Sequence, residues 1–210
     1  MKRYPIVGQV NGKSATLGRM GALVYTAIAS LDGYVEDADG GFGWAAPDEE
    51  VHAFVNDLER STTTHLYGRR MYQTMAAWED LGTEPDASEV ERDYGQIWRD
   101  ADKIVFSRTL NSVSTARTRI EPAFSADLVT ALKLSAVPDL GIGGAELAAE
   151  ALRHGLVDEV RLLLHPVTVG AGKPALPPGV RLRLLDQRRF ASGVVHLHYG
   201  VVPAHDGGRR

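Results

Sequence analysis

The sequence predicts an α/β domain of three layers (αβα), in which helices cover both faces of a mostly parallel mixed sheet that ends in a C-terminal antiparallel hairpin. Apolar strands alternate with amphipathic helices over most of the chain, which is typical of a parallel sheet. Residues 23–29 are almost continuously apolar, as expected for a central strand that is buried on both faces. Residues 180–185 and 194–202 alternate apolar and polar side chains around a turn with Gly193, which predicts the terminal hairpin.

Length and composition restrict the classes of protein to which this chain can belong. The 210 residues suit one domain with a sizeable core, which we predict over residues 21–203, between an N-terminal extension (1–20) and a polar tail (204–210). The net charge of −4 gives no basic footprint for nucleic acid, and no stretch resembles a signal peptide or a membrane span. The chain has no cysteine, which excludes disulfides and thiolate metal sites and fits a cytoplasmic setting.

The first strand leads into a turn at Asp32 and Gly33 and then into a long loop, residues 36–46. A long loop directly after a central strand is a common place for a ligand lid, so Trp44 within it is a candidate substrate contact. A surface loop that Trp44 anchors by packing is the alternative. The acidic residues of this loop lack the spacing of a calcium-binding loop.

The middle of the chain continues the alternation of helices and strands. A proline followed by acidic residues at 47–50 begins the first helix, and Ser125 is a suitable N-cap for a later one. The pattern predicts strands at 64–67, 103–106 and 117–120, the last at a sheet edge, and helices at 71–78, 88–98 and 126–134.

Residues 137–155 combine a short strand (139–142), the pair Gly143-Gly144 and a helix that ends at Gly155. Such a junction gathers free backbone N–H groups at the positive end of a helix dipole, where an anion such as a pyrophosphate binds. A turn that needs glycine only for positive φ is the alternative. The Rossmann fingerprint is not matched, because Glu146 stands at its third glycine position. A long strand at 158–169 follows, and the segment after it lacks the glycine and hydroxyl positions of a Walker A loop.

Three junctions of this chain follow the carboxyl ends of predicted strands: Gly68-Arg69-Arg70, Ser107-Arg108-Thr109 and Gly143-Gly144. Ligands of open α/β sheets bind outside the carboxyl ends of the strands, so the three junctions point to one ligand. A glycine pair suits a pyrophosphate. An arginine beside hydroxyl groups suits a terminal or ribose phosphate, because the guanidinium group supplies forked donors.

An ordered set of motifs resembles the dihydrofolate-reductase-like family that includes the RibD C-terminal (riboflavin biosynthesis reductase) domain. The motifs are Ser30-Leu31-Asp32-Gly33, Gly68-Arg69-Arg70-Met71-Tyr72, Val105-Phe106-Ser107-Arg108-Thr109-Leu110, Ile142-Gly143-Gly144-Ala145-Glu146-Leu147, Asp158-Glu159-Val160 and His165-Pro166-Val167-Thr168-Val169-Gly170. The resemblance covers about residues 22–202. Met71 departs from the threonine usual in the family, and the deaminase domain of the bifunctional enzyme is absent from this sequence.

The resemblance implies a dihydrofolate-reductase-like fold, NADPH as the cofactor and a homodimer. Ser107 and Arg108 would lie at the 2′-phosphate of NADPH, with Thr109 beside them at the cofactor, and Asp32 would lie near the nicotinamide and the substrate. The remaining residues that it places at the cofactor are Ala27, Gly33, Gly68, Arg69, Arg70, Gly143, Gly144, Ala145, Glu146 and Leu147.

Two acids are candidates for the chemistry, Asp32 and Glu50. Dihydrofolate reductases hold the pterin with a carboxylate in the first long helix, and Glu50 is the best positional match here, although acids also cap helices at such positions. His196 and His198 share one face of a strand without an evident third ligand, so we predict no metal site. His165 is interpreted as a polar strand end.

We therefore expect an NADPH-dependent oxidoreductase that transfers a hydride to a small heterocyclic, pterin- or pyrimidine-like substrate, with Asp32, Glu50 or water as the proton source. A dinucleotide-binding module without catalysis on the same scaffold is the main alternative. A protein that binds a pterin or flavin precursor is a third possibility. The sequence does not identify the substrate.

Overall fold

One eight-stranded mixed sheet and a two-stranded sheet organise the computed structural model, which describes residues 20–135 and 139–203. The strands are β1 (Leu23–Ser30), β2 (Tyr34–Asp37), β3 (Thr64–Gly68), β4 (Asp102–Phe106), β5 (Thr118–Glu121), β6 (Leu140–Gly143), β7 (Glu159–His165), β8 (Gly172–Pro174), β9 (Leu182–Arg189) and β10 (Val195–Val201). The α-helices are α1 (Glu49–Glu59), α2 (Arg69–Met75), α3 (Glu89–Asp100), α4 (Ala126–Ser135) and α5 (Ala145–Arg153). Short 3-10 helices are formed by Gly43–Ala45 and Ala76–Glu79.

The large sheet has the order β5-β4-β3-β6-β1-β7-β10-β9. The first six of these strands pair in parallel, and β10 pairs antiparallel with both β7 and β9. The predicted mostly parallel sheet, the edge strand at β5 and the C-terminal hairpin are thus confirmed.

Alternate residues of the strands face two different helical layers. On one face, Tyr25 and Leu66 belong to a core that includes Val129 of α4 and Ala148 of α5. On the other face, Leu163 packs with Val51 of α1, and a further cluster of Tyr67 and Val105 packs with Tyr72 of α2. Because both faces are covered, the central strands are apolar on both sides, as their sequence indicated.

Several helix ends carry caps, of which the sequence predicted those at Ser125 and Gly155. The Asp48 carboxylate accepts a hydrogen bond from the amide of Val51 at 2.8 Å, and the Ser125 hydroxyl accepts one from the amide of Leu128 at 3.2 Å. Gly155 follows α5 with φ +65°, the left-handed conformation expected after a helix. Ser88 and Glu91 form a capping box at the start of α3.

The small sheet of β2 and β8 was not predicted. Its strands contain four and three residues, too few to show an apolar alternation, and they pair antiparallel across a large separation in sequence. Gly172 permits the pairing, since a Cβ atom there would lie 1.9 Å from the carbonyl oxygen of Glu36. The predicted long strand at 158–169 is also shorter, because β7 ends at His165, directly before Pro166.

The predicted extension, residues 1–20, and the predicted tail, residues 204–210, lie outside the described residues except for Met20. Within the described ranges, no helix is both long enough and apolar enough to span a bilayer.

Candidate functional site

The carboxyl ends of β4, β3, β6 and β1 lie side by side at one edge of the sheet. Gly68 pairs with Phe106, Tyr67 with Gly143, and Tyr25 with Ile142. The three predicted junctions therefore follow adjacent strands. With strands about 4.8 Å apart, β1 and β4 are separated by roughly 14 Å, so this edge can support an extended ligand.

A cavity of about 790 Å³ opens along this edge, on the side of the sheet that α1 and α2 cover. Nine of the residues that the sequence placed at the cofactor contribute to its wall. These are Ala27, Gly68, Arg69, Arg70, Gly143, Gly144, Ala145, Glu146 and Leu147. A concave, largely apolar site of this size with a few polar groups is typical of small-molecule binding.

The N-terminus of α5 opens into the cavity. Its N-cap, Gly144, has φ +92° and offers no side chain to bond the first amides of the helix. The amide of Ala148 bonds the carbonyl of Gly144 at 3.0 Å. The three preceding amides have no acceptor within the helix, and the helix dipole adds a partial positive charge to them. This junction is suited to an anion.

Charged side chains cluster at the mouth of the cavity. The ammonium group of Lys173 lies 2.9 Å from a carboxylate oxygen of Glu36 and 3.2 Å from one of Glu146, and an Arg70 nitrogen lies 4.0 Å from the same Glu146 oxygen. The side chains of Arg70 and Glu146 are both 74% exposed. The Glu146 carboxylate cannot itself hold a phosphate, so any such contact must come from the backbone of that residue. Lys173 was not predicted at the site, because it lies on the unpredicted strand β8.

The two glycines of β6, Gly141 and Gly143, leave room for aromatic rings on β3. A Cβ atom at Gly143 would lie 2.7 Å from Cε1 of Tyr67, and one at Gly141 would lie 2.8 Å from Nδ1 of His65. The two rings are stacked, with centroids 5.5 Å apart and an angle of 3° between their planes. Only glycine at both positions leaves room for the two rings that form this part of the cavity wall.

The inner end of the cavity contains a buried acid, Glu59, at the C-terminal end of α1. Burial raises the pKa of Glu59, while Arg161 and hydrogen bonds from the hydroxyls of Thr26 and Thr62 oppose that rise. Burial, with a smaller contribution from Lys103, lowers the pKa of His65 to about 4. His65 Nδ1 lies 4.0 Å from a carboxylate oxygen of Glu59. Burial favours the neutral form of both of these neighbouring groups. Neither residue was predicted as part of the site.

Asp32 lies outside the cavity wall and has structural partners. Its carboxylate accepts hydrogen bonds from the Ser30 hydroxyl at 2.7 Å and from the amides of Gly170 and Val169 at 2.7 and 3.2 Å. The Ser30 hydroxyl is the main cause of the lowered pKa of Asp32. The residue joins the β1–β2 turn to the loop after β7, which differs from the predicted role in proton delivery. Gly33, with φ +88°, belongs to the same turn and is also absent from the wall.

Glu50 also differs from its predicted place. Its carboxylate lies 3.3 Å from an Arg188 nitrogen and accepts a hydrogen bond from the amide of Ala191 at 3.2 Å. It borders a separate shallow depression that includes Asp57 and Asp93 rather than the large cavity. The geometry thus assigns Glu50 to fastening α1 against the β9–β10 turn.

Trp44 packs against His165, with ring centroids 6.4 Å apart, and its ring nitrogen is buried without a partner among the described residues. Its neighbours Phe42 and Gly43 line the cavity, whereas Trp44 does not. Of the two interpretations that the sequence left open, the structure favours the packing anchor.

Ser107, Arg108 and Thr109 follow β4, one strand beyond Gly68, and lie outside the cavity wall. The Ser107 hydroxyl oxygen accepts hydrogen bonds from the amides of Thr109 and Leu110 at 3.2 and 3.0 Å. Arg108 is exposed, and its guanidinium group has no hydrogen bond or ion pair within the described ranges. The site is therefore an exposed extension of the edge, where a phosphate could approach.

His196 and His198, which were predicted to share one face of a strand, have different partners. His196 is buried against Phe54, with ring centroids 4.8 Å apart, and His198 Nε2 lies 2.8 Å from a Glu159 carboxylate oxygen. In the part of the chain that the structure describes, no group of three or more potential metal ligands forms. His165 is buried at the end of β7, and that burial lowers its pKa.

Comparison with known proteins gives a family for this geometry. The family model of the RibD C-terminal domain matches residues 22–196. The uncharacterized protein YyaP of Bacillus subtilis (strain 168) is 31% identical over 183 residues, which cover 84% of this chain and 93% of YyaP.

Solved structures share the fold at low sequence identity. A putative riboflavin biosynthesis protein from Shewanella sp. PV-4 has a TM-score of 0.66 at 18% identity, with 87% of this chain and 99% of that chain covered. A pyrimidine reductase-like protein from Corynebacterium diphtheriae has a TM-score of 0.59 at 14% identity, with 90% and 95% covered. The diaminohydroxyphosphoribosylaminopyrimidine deaminase/5-amino-6-(5-phosphoribosylamino)uracil reductase of Thermotoga maritima has a TM-score of 0.58 at 15% identity, and the match covers 88% of this chain but only 57% of that one.

Proposed function

Because this chain belongs to the RibD C-terminal domain family, we propose that it is an NADPH-dependent reductase that transfers a hydride to a small heterocyclic substrate. The observation that carries the proposal is the glycine junction at Gly144, where the uncapped N-terminus of α5 opens into a large cavity. A helix N-terminus at the carboxyl edge of a sheet is a suitable place for the diphosphate of a dinucleotide.

The residues at this edge fit a dinucleotide. A Cβ atom at Gly144 would lie 3.2 Å from Cβ of Met71, so glycine keeps the approach to the α5 amides open. Arg69 and Arg70 stand at the mouth beside these amides and would neutralise phosphate charge. Ser107 and Arg108 lie farther along the same edge, where they would bind a 2′-phosphate.

When bound, NADPH supplies the hydride, and the chain supplies position and environment. Ala27 and Gly143 lie on adjacent parts of the cavity wall and would border the nicotinamide without crowding it. The apolar wall that includes Ile28 and Leu163 would shield one side of the reacting atoms from bulk water. Since neither Asp32 nor Glu50 lines the cavity, we expect the proton to come from water at the open mouth.

The proposal is tested by titrating the full chain with NADPH, with nicotinamide fluorescence as the signal for binding. Oxidation of NADPH is then followed at its absorbance band with a panel of pyrimidine, pterin and carbonyl compounds. Saturable binding of NADPH together with turnover of at least one compound is the expected result. An absence of NADPH binding would exclude the proposed function.

A dinucleotide-binding module without catalysis is the second candidate. The observation in its favour is the position of Asp32 and Glu50, the two predicted acids, outside the cavity. Tight binding of NADPH without oxidation by any compound of the panel would support this alternative.

A further inference from the structure

Lys173 is a cation of the cavity wall to which the proposed function gives no task. It lies on β8, in the small sheet, opposite Glu36 of β2, and 22% of its side chain is exposed. Its ammonium nitrogen lies 2.9 Å from a carboxylate oxygen of Glu36. Because the two residues are cross-strand neighbours, this short bridge holds the ammonium group at the mouth of the cavity.

The same ammonium group reaches a second carboxylate, that of Glu146, at 3.2 Å. Glu146 is the second residue of α5, and an Arg70 nitrogen approaches the same Glu146 oxygen at 4.0 Å from α2. Two cations from different elements therefore converge on one carboxylate oxygen in the wall of a ligand-sized cavity. A phosphate bound beside the first turn of α5 would need the same two cations.

The contacts of Glu146 are weak enough to be exchanged. Its side chain is 74% exposed, as is that of Arg70, and exposed ion pairs add little to stability because water and salt compete with them. A phosphate oxygen accepts a shorter, charge-assisted hydrogen bond from an ammonium group. The diphosphate of a dinucleotide also carries negative charge on both of its phosphates, whereas Glu146 brings a single carboxylate. The diphosphate is therefore the stronger partner for Lys173.

The two carboxylates around Lys173 would respond differently to such a ligand. Glu36 is 30% exposed and lies opposite Lys173 in the paired strands, so it continues to hold the ammonium group. The exposed carboxylate of Glu146 would repel a phosphate bound beside it, because the two charges have the same sign. Rotation of the Glu146 side chain into solvent relieves that repulsion.

We propose that Lys173 binds the diphosphate of the cofactor, and that the Glu146 carboxylate takes the place of this diphosphate in the unliganded chain and so lowers the affinity for it. This inference rests on the proposed function. It adds one binding residue and one competing residue to the same site.

The test is a fluorescence titration of the full chain and its variants with NADPH at low salt. Lys173→Met should lose about tenfold in affinity, as expected for a charge-assisted hydrogen bond at a partly exposed site. Lys173→Arg keeps the positive charge and should retain most of the affinity. Glu146→Gln keeps the size of the side chain and removes its charge, and it should gain roughly two- to fivefold in affinity, the range of an exposed ion pair.

The opposite signs of these two effects distinguish an exchange from a structural bridge. If the contact between Lys173 and Glu146 only fastened β8 to α5, removing either partner would weaken binding. In the double variant Lys173→Met/Glu146→Gln, the gain from Glu146→Gln should be smaller than in the parent, because the cation for which Glu146 competes is gone. A loss of affinity in Glu146→Gln, parent-like affinity in Lys173→Met, or an undiminished gain in the double variant would overturn the proposal.

Glu150→Gln and Arg153→Met are the matched controls. Glu150 and Arg153 form an ion pair farther along α5, and neither belongs to the cavity wall. The two variants remove the same charges as Glu146→Gln and Lys173→Met, and both should bind NADPH like the parent. Circular dichroism checks the folding of each variant. If Lys173→Met does not fold, the gain expected of Glu146→Gln, at an exposed position, still decides the proposal.

Calorimetry with inorganic diphosphate separates this outcome from that of the proposed function. A chain that binds NADPH with equal affinity in the parent and in the Lys173 and Glu146 variants would keep the proposed function and refute the exchange. A chain without NADPH affinity that binds inorganic diphosphate, more weakly in Lys173→Met and more tightly in Glu146→Gln, would do the reverse. Binding of neither ligand would overturn both proposals.

Discussion

A Cβ atom at Gly143 would lie 2.7 Å from Cε1 of Tyr67, a distance that real Cβ atoms do not adopt. Gly143 has no positive φ, so its backbone would accept other residues, and the neighbouring ring is the constraint. The sequence indicated this glycine as a place for close approach by a phosphate. The structure adds an aromatic ring from the next strand to the reasons for glycine.

Gly143→Ala should therefore destabilise the fold by about 1–3 kcal/mol, the usual range for overpacking a buried site. Urea unfolding measures the change. Gly200→Ala is the control in β10, since a Cβ atom there would meet its nearest neighbour at 3.6 Å, an ordinary contact. Equal stability of the two variants would contradict the argument.

Gly144 makes a different prediction, because its φ of +92° is unfavourable for any residue with a Cβ atom. Gly144→Ala should lose about 1–3 kcal/mol of folding stability through backbone strain, and Gly144→Val should lose more. In both variants the loss of NADPH-binding free energy should exceed the loss of folding stability, because the Cβ atom narrows the approach to the α5 amides. Binding is measured by nicotinamide fluorescence at a temperature where the variants are folded.

Gly155→Ala is the matched control for strain. Gly155 lies just beyond the other end of α5 and has φ +65°, and a Cβ atom added there would meet no atom of the described residues within 4 Å. It should lose comparable stability and keep its NADPH affinity. If Gly144→Ala binds NADPH like Gly155→Ala, the junction serves the turn alone.

The two acids of α1 show where sequence reasoning reached its limit. Glu50 and Glu59 are nine residues apart, which at about 100° per residue places them on roughly opposite sides of the helix. The choice of Glu50 relied on distance along the chain, whereas Glu59 continues the apolar stripe of Val51 and Val55 at steps of four residues. That continuation was a usable signal, since an acid on a buried stripe needs an explanation.

Local signals predicted the junctions and caps well, because the glycine at 144, the serine at 125 and the strand ends act within a few residues of themselves. The positions of Asp32 and Lys173 depend instead on segments far away in sequence. Asp32 bonds the amide of Gly170, and Lys173 reaches the cavity only through the pairing of β8 with β2. Short strands without alternation give no signal for such contacts.

Arg108 is expected to read the 2′-phosphate of NADPH. It is exposed and unpaired within the described ranges, next to the hydroxyls of Ser107 and Thr109. A charge-assisted hydrogen bond contributes about 1.5–3 kcal/mol, so Arg108→Ala should lose roughly ten- to hundredfold in NADPH affinity and leave NADH affinity almost unchanged. Salt should reduce the preference.

Titration of both cofactors against the parent and Arg108→Ala checks this expectation. Arg119→Ala serves as the control, since Arg119 is an exposed arginine of the edge strand β5 that pairs with Glu121. Equal losses for NADPH and NADH would show that Arg108 does not discriminate between them.

We propose that the chain forms a homodimer through the β9–β10 hairpin. Leu184 and Leu185 of the edge strand β9 are 51% and 41% exposed, and apolar side chains on a sheet edge favour cover by another chain. Light scattering at micromolar concentration should give the mass of two chains, and Leu184→Asp should shift it toward one. Leu134→Asp, at an exposed position of α4, should leave the mass unchanged. A parent of single-chain mass would refute the dimer.

Because His65 is buried, we expect the folded state to lose stability in acid. Burial lowers its pKa from the ordinary 6.5 to about 4, so the folded state binds the proton less readily than the unfolded state. The stability that depends on neutral His65 is complete above pH 6.5 and is lost as the pH falls toward 4, by about 3 kcal/mol in total. The raised pKa of its neighbour Glu59 acts in the opposite sense, since acid favours the protonated form that burial prefers.

The variant His65→Phe isolates this contribution, because a phenyl ring can keep the stacking on Tyr67 without a titrating nitrogen. Urea unfolding of both proteins between pH 7 and pH 4.5 should show a steeper loss in the parent, by about 2 kcal/mol over this interval. His154→Phe, at an exposed histidine after α5, should follow the parent. Parallel curves for the parent and His65→Phe would mean that His65 is protonated as easily in the folded chain as in the unfolded one. The conclusion that burial keeps His65 neutral beside Glu59 at the inner end of the cavity would then be wrong.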